Sequence, residues 1–360
     1  MPVIERAICE AVFREAVVAC DPAARVREAL AREPLRGRKL IGFAVGKAAM
    51  AMARGAGPVA RGLVVTIADA PPDHPAGWSV VAGSHPFPDE TSIAAAQRAI
   101  DLVDSAQPDD VVLALISGGA SSLLEQPIEG VTLDEYRECV REKMASGASI
   151  YELNTLRTKL SAIKGGKLAA RSAAPIVTLV VSDVIGDDPR VIGSGPTVRD
   201  GDRVEIIAPM ASFGDAITKA LGARGIAAQR IAEPIANDVA MVAQQLVTAL
   251  GDRVLVAWGE PTVRLPERAG EGGRAQQLAL ELAKRVRGTN RSAFVAGSDG
   301  IDRSAAAGAY VDGSTWDAIG AAEAERALAG FDSGSVLRRV GALVVTGPTG
   351  INHADIVIAG

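Results

Sequence analysis

Aromatic side chains are scarce in this chain: three tryptophans, three tyrosines and six phenylalanines make up 3% of its 360 residues. So few aromatics exclude a base-stacking platform for single-stranded nucleic acid, and they require cores built from Ala, Val, Leu and Ile. Cysteine is also sparse. Cys9, Cys20 and Cys139 are odd in number and widely spaced, which excludes a disulfide framework and any metal-ligand pattern and fits reduced thiols. No uninterrupted apolar run is long enough to span a bilayer. The opening segment, MPVIERAICEAVFREAVVA, carries acids through its apolar periodicity and lacks the charged-then-apolar order of a signal peptide. It reads as an amphipathic surface helix, and a soluble cytoplasmic protein with no membrane partner is expected. A net charge of −5 argues against nonspecific binding of DNA or RNA, so no nucleic-acid partner is expected. The chain also lacks a G-x-S-x-G elbow, an H-E-x-x-H helix and a G-x-G-x-x-G dinucleotide fingerprint.

What is present is apolar sequence, 48% of the total, in a chain longer than one core usually organises. Two domains are expected. Short β-branched runs recur, each followed by a Gly- or Asp-bearing loop and a helical pattern: KLIGFAV, GLVVTIA, DVVLALIS and IVTLVVSD, then RVLVAW, SAFVAGSD and ALVVTG. Continuous apolar strands alternating with helices predict α/β architecture with parallel sheets covered on both faces. Punctuation weakens between residues 222 and 238, which sets the expected domains at 1–228 and 229–360. In such sheets ligands gather at the carboxyl ends of the strands. Lys47, Ser117, Asp183, Glu260, Asp299 and Thr346 all fall at or just past predicted strand ends.

Lys47 lies in IGFAVGKAAM, residues 41 to 50, which invites comparison with a phosphate-binding P-loop. The comparison fails twice: only Phe43, Ala44 and Val45 separate Gly42 from Gly46, and Ala48 stands where a Ser or Thr hydroxyl is needed. LISGGASSLL, residues 115 to 124, is better equipped. Its glycines permit close backbone approach, and backbone N–H groups of such a turn bind phosphate, although an ordinary strand–helix turn has the same composition.

LNTLRTKLSAIKGGKLA, residues 153 to 169, sets Asn154, Arg157 and Lys164 at helical spacing on one polar face. With Lys159 and Lys167 these cations suit an anionic ligand or form a solvated basic face. VVSDVIGDDPRVIGSGPT, residues 180 to 197, offers Asp183 at a strand end as a hard oxygen donor beside phosphates, where Mg²⁺ needs few protein ligands. Asp187 and Asp188 fit that role or plain turn chemistry. Further on, Glu260 ends a strand, Arg274 opens a helix after two glycines, and Asp299, Asp302, Thr346, Thr349 and Asn352 add acids and hydroxyls. An arginine there is suited to forked contact with carboxylate or phosphate. His74, His85 and His353 read as structural or solvent-exposed.

Taken in order, GKAA, SHPFPDE, SGGASSLL, LNTLRTKLSAIKGGKLA, VSDVIGDDPRVIGSGPTVRD, GEPTV, GGRAQQLALELA, SDGID, AGAYVDG and TGPTGIN resemble the class II glycerate kinase (MOFRL) family from about Lys47 onward. The resemblance implies a larger Rossmann-like domain (1–228), a smaller C-terminal MOFRL-like α/β domain (229–360) and an active site in the cleft between them. It implies functional roles for Lys47 and Arg274, and draws attention to Ser117, Gly118, Gly119, Asn154, Arg157, Asp183 and Glu260. The sequence departs from the family pattern at Ala120, at Ala275-Gln276-Gln277, at Arg303-Ser304-Ala305 and at Ile351.

The expected activity is ATP-dependent phosphorylation of D-glycerate at its 2-hydroxyl, with ATP and Mg²⁺ as cofactors and a small sugar acid as substrate. Lys47 would stabilise the phosphoryl group in transit, Arg274 would grip phosphate or carboxylate, and Asp187 would receive the hydroxyl proton. Ser117, Gly118, Gly119, Ser121, Asn154, Arg157 and Glu260 would bind the nucleotide, and Asp183 the metal. Two alternatives stand beside it: an NAD(P)H-dependent hydroxypyruvate reductase, a label often given to family members, and a noncatalytic sugar-acid sensor of the same fold. A homodimer is kept open.

Overall fold

The computed structural model describes residues 4–32, 35, 37–67 and 74–360, so residues 1–3 of the expected N-terminal helix lie outside it. The chain folds as two units, Asp21–Pro209 (the first unit) and Met1–Cys20 with Met210–Gly360 (the second). This division departs from the expected one. Helix α1 (Arg6–Ala19) belongs to the second unit because its apolar stripe finds its partners there: Phe13 sets its ring edge-on to Phe213 at 5.3 Å and tilted to Phe294 at 5.7 Å. Arg6 donates to the Gly341 and Leu343 carbonyls at 2.7 and 2.6 Å, and the Ile4 carbonyl accepts from Ser292 and Tyr310.

The first unit is a six-stranded sheet in the order β3-β2-β1-β4-β5-β6, parallel throughout. Its strands are β1 (Leu40–Val45), β2 (Arg61–Thr66), β3 (Trp78–Ala82), β4 (Val111–Ile116), β5 (Ile176–Val181) and β6 (Arg203–Ala208). Alternation sorts the side chains onto two faces. Ile41, Phe43 and Val45 join Ala95, Ala99 and Val103 of α4 (Glu90–Asp104) in one core. Ala44, Leu113 and Leu115 join Val26 of α2 (Pro22–Ala31) and Met52 of α3 (Ala49–Ala56) in the other. Between β4 and β5 run α5 (Ala120–Leu123), α6 (Leu133–Ala145) and α7 (Ile150–Leu160). A reciprocal Ser149–Glu152 capping box starts α7, and it stops where Ser161 turns extended. Lys164 therefore lies off the helix, and the polar face expected to carry it with Asn154 and Arg157 does not form.

The second unit's sheet runs β11-β10-β9-β12-β8-β7. Its strands are β7 (Ala228–Arg230), β8 (Val254–Gly259), β9 (Ser292–Gly297), β10 (Gly308–Asp312), β11 (Leu343–Val344) and β12 (Asp355–Ala359). Only β7–β8 is parallel; the other pairings are antiparallel, which corrects the expectation of a second parallel sheet. The apolar runs misled because both faces are covered whatever the strand direction. Leu255, Val295 and Val357 pack against α9 (Val239–Ala249) and α10 (Arg274–Val286). Val256, Phe294 and Ile356 pack against α1 and α8 (Ser212–Gly222). A one-residue slip of β9 would exchange Phe294 and Val295 between unlike cores, so register is strongly specified. No helix among the described residues is long and apolar enough to cross a membrane.

Candidate active site

In the first sheet, β1 leads to β2 and β3 on one side, while β4, β5 and β6 extend the other. The order reverses between β1 and β4, and ligands of doubly wound sheets bind outside the carboxyl ends of strands at such a point. Val45 and Ile116 are register partners, so Gly46-Lys47 and Ser117-Gly118-Gly119 emerge side by side. The two turns are tied together: the Lys47 N–H donates to the Gly118 carbonyl at 2.9 Å and the Ala48 N–H to Ser117 Oγ at 3.1 Å. Gly46 has φ +125°, and a Cβ there would run into the Ser117 side chain. That glycine and the fully buried Ser117 set the lysine's position; Ser117 acts as a strut.

Gly119 sits at φ +85°, where a Cβ would come within 3.3 Å of Lys47 Cγ and 3.4 Å of His85 Cδ2. Lys47, Gly119 and His85 are therefore neighbours. His85, read from the sequence as structural, joins the group through a loop carrying Pro86 and Pro88, and only its SHPFPDE setting hinted at it. The loop after β5 packs against the same turn, with Ser121 Oγ 3.0 Å from Ser194 Oγ and no room for a Cβ on Gly193 beside Ala120. Asp183 leaves β5 next to β4, and the Asp187 N–H closes a turn onto the Val184 carbonyl with φ +50°. Asp188 is turn chemistry: its carboxylate accepts from the Arg190 N–H.

Burial lowers the pKa of Arg157, against the pull of Tyr136 and Glu125, the groups it neighbours. Lys164 is wholly buried and pairs with buried Glu125 at 2.6 Å while donating to the Leu124 carbonyl at 2.9 Å. Lys167 donates to the Thr158 and Ser161 carbonyls. Two of the four cations of this segment thus serve the fold and not a solvated face, and Asn154 lines a separate cavity of the first unit.

In the second unit, Arg274 is the first residue of α10, its Nε donating to Asp355 at 2.6 Å and its Nη1 to Glu260 at 2.9 Å. Burial alone would lower its pKa; Asp355 and then Glu260 outweigh that and raise it. Glu260 is thus a partner of the arginine, and Asp355, missed in the sequence, is the other. Further N–H donors of the guanidinium remain for an anion. Asp302 caps α10, accepting from the Ala275 and Gln276 N–H groups at 3.2 and 2.8 Å. Gln276 also donates to Ser304 at 3.1 Å, so two of the departures from the family pattern contact each other. Asp299 accepts from the Ile301 N–H, and its carbonyl from the Thr349 N–H, folding the SDG and TGPTG loops together. Among the described residues, no group of three His, Cys, Asp or Glu side chains is arranged to hold a metal.

Burial, then Asp355, pushes the Asp302 pKa up to about 6 against its N–H donors, from its ordinary 3.8. The folded state therefore holds the proton more tightly than the unfolded chain between about pH 4 and 6, and this group's contribution to stability falls as pH rises through that window. Asp302→Asn lacks that slope. Urea melts across the window should find wild-type stability declining relative to the variant by up to about 3 kcal/mol. Parallel pH profiles would remove the carboxyl from this role.

A parallel sheet with a lysine and a glycine-rich turn at its switch point is the layout of an α/β protein that handles anionic ligands. Residues 8–218 match the family described as Domain of unknown function (DUF4147), and residues 253–355 match the MOFRL family. A D-glycerate 2-kinase from Thermotoga maritima is 34% identical, with 96% of each chain covered. A protein of Agrobacterium vitis named "Putative hydroxypyruvate reductase" is 36% identical, over 98% of this chain and 93% of its own. The crystal structure of a glycerate kinase from Thermotoga maritima is similar with a TM-score of 0.87 at 31% identity, 98% of each chain being covered. The chain belongs to the MOFRL family of glycerate kinases.

Proposed function

We propose that this protein is a kinase that transfers the γ-phosphoryl group of ATP to the 2-hydroxyl of D-glycerate, giving 2-phosphoglycerate and ADP. The observation that carries this reading is the pairing of Lys47 with the Gly118-Gly119 turn at the switch point of the parallel sheet. A relative named D-glycerate 2-kinase that aligns along nearly the whole chain supports it. As the glycerate O2–phosphorus bond forms, the bond from phosphorus to the β,γ-bridging oxygen breaks, and the hydroxyl proton passes to a base, for which Asp187 is the candidate. Such transfer demands positioning and neutralisation of charge more than covalent help. Lys47 supplies the cation at the transferring group. Backbone N–H groups of the Gly118–Ser121 turn cradle phosphate, with Ser117 and Ser194 holding the turn in shape. Mg²⁺ would neutralise phosphate oxygens, and Asp183, a hard oxygen donor just past the end of β5, the strand next to β4, fits it.

Arg274 is assigned to gripping a carboxylate or phosphate of the reactants, with Asp355 and Glu260 orienting it. Arg274→Lys keeps the charge between those carboxylates but loses the fork. It should lower kcat/KM by about ten- to a hundredfold with little change in melting temperature, as for loss of one charge-assisted hydrogen bond. Unchanged kcat/KM would release the arginine from this role.

A coupled ADP-release assay with D-glycerate, followed by NMR of the product, tests the reaction and the position phosphorylated. The name of the Agrobacterium vitis relative keeps the reductase reading in view. Oxidation of NADH by hydroxypyruvate, with no ADP released from ATP and D-glycerate, would establish that reading instead.

A further inference from the structure

Arg274 carries one positive charge and holds two carboxylates, Asp355 at Nε and Glu260 at Nη1. A third anion arriving at the guanidinium would meet net negative charge unless one of the two left. Asp302, close enough to Asp355 to be disfavoured as an anion by it, adds to that excess. An arginine that is to grip a reactant from this position therefore has to give up a partner.

The two carboxylates are unequally held. Asp355 opens β12, which pairs with β8 on one side and β9 on the other, and its side chain is only 8% exposed. Parting it from the arginine would strand a buried charge. Glu260 lies one residue past β8, its side chain is 55% exposed, and it meets the arginine through one hydrogen bond at 2.9 Å. An exposed pair of that kind is weak, and water receives the carboxylate when it swings out. The backbone on both sides of the bond is fixed. The Glu260 N–H donates to the Ile235 carbonyl at 2.9 Å, a Cβ on Gly259 would strike that same carbonyl, and Asp302 pins the start of α10 through the Ala275 and Gln276 N–H groups. What is left to move is the Glu260 side chain.

We propose that Glu260 is a specificity-determining residue whose carboxylate, in the ligand-free protein, occupies the place on Arg274 that an anionic group of the reactants takes. That group displaces Glu260, while Asp355 stays and keeps the guanidinium in position. Carboxylate and phosphate oxygens share the chemistry that makes the exchange, a charge-assisted contact with the guanidinium. An uncharged analogue cannot make it and is turned away. The proposal rests on the assignment of Arg274 to an anionic reactant under the kinase reading above. It reverses the sign of the nucleotide-ligand role expected for Glu260 from the sequence, because removing the carboxylate should strengthen binding.

Calorimetric titration of the wild type and Glu260→Gln with D-glycerate and with inorganic phosphate reads the exchange without turnover. The variant should bind at least one of the two about three- to tenfold more tightly, and the anion that gains identifies the group, carboxylate or phosphate, that Arg274 accepts. Unchanged or weaker binding of both overturns the proposal. A crystal structure of the wild type with the gaining anion should show it on Arg274, with Glu260 turned away and Asp355 in place. Glu260 still on the arginine, or the anion bound elsewhere, overturns the exchange even where affinity has risen, since the gain would then come from charge alone. In turnover, Glu260→Gln should lower the KM for the reactant bearing that group by about three- to tenfold; an unaltered or raised KM for both reactants overturns the proposal. Absence of ADP release by the wild type would refute the kinase reading, whereas the titrations with D-glycerate and phosphate read Glu260 independently of it.

Discussion

Lys47→Ala is expected to lower kcat for ATP and D-glycerate by about a hundred- to a thousandfold, the range seen when one preorganised charge-stabilising group is removed. The lysine's backbone is held independently of its side chain, by the Lys47 N–H on the Gly118 carbonyl and the Ala48 N–H on Ser117 Oγ. The variant should therefore fold normally and melt close to the wild type. KM for ATP should move much less than kcat, because a charge aimed at the phosphoryl group in transit acts mainly in the transition state. Steady-state kinetics with both substrates varied, alongside thermal unfolding, distinguishes the cases. Near-normal turnover would remove Lys47 from the mechanism, and a rise in KM alone would make it a ground-state ligand of the nucleotide.

Lys47 was legible in the sequence for a local reason. It follows an apolar strand, and a strand with both faces buried announces its own end. The same signal located Ser117 and Asp183 at the ends of β4 and β5. Strand direction carried no such signal, since β8, β9 and β12 are as fully buried in their largely antiparallel sheet as β4 and β5 are in the parallel one. The short strands β7 and β10, and β12 at the chain end, were missed because runs of three to five residues leave little period to read. Partners remote along the chain were equally hidden. Arg274 stood out at a Gly-rich helix start, yet its carboxylate Asp355 is 81 residues away, and no pattern of charge links them. α1 shows the same limit, since its amphipathic pattern could not tell which unit its apolar stripe would cover.

Lys164→Met is expected to destabilise the protein by about 3–5 kcal/mol, the usual consequence of stranding one member of a buried ion pair. Both partners are buried to within a percent, Lys164 at 1% and Glu125 at 0% exposure, so no solvent compensates Glu125 when the ammonium is removed. The Leu124 carbonyl loses a donor as well. Burial lowers the lysine's pKa and Glu125 opposes it, so the neutral alternative is held off chiefly by the partner carboxylate. In the double variant Lys164→Met with Glu125→Leu both charges are gone, and most of the loss should be recovered, because an apolar pair of similar volume usually replaces a buried ion pair without large cost. Urea unfolding of the wild type, both single variants and the double variant gives the coupling directly. Additive losses would mean that the two side chains do not act as a pair. Strong coupling would tie the exit of the SGGASS turn, at Leu124 and Glu125, to the KGG turn that supports the loop after β5, through Gly165 on Ser194 and Gly166 on Gly195. The lysine that looked from its spacing like an anion ligand would then be the brace behind the loops that surround Lys47.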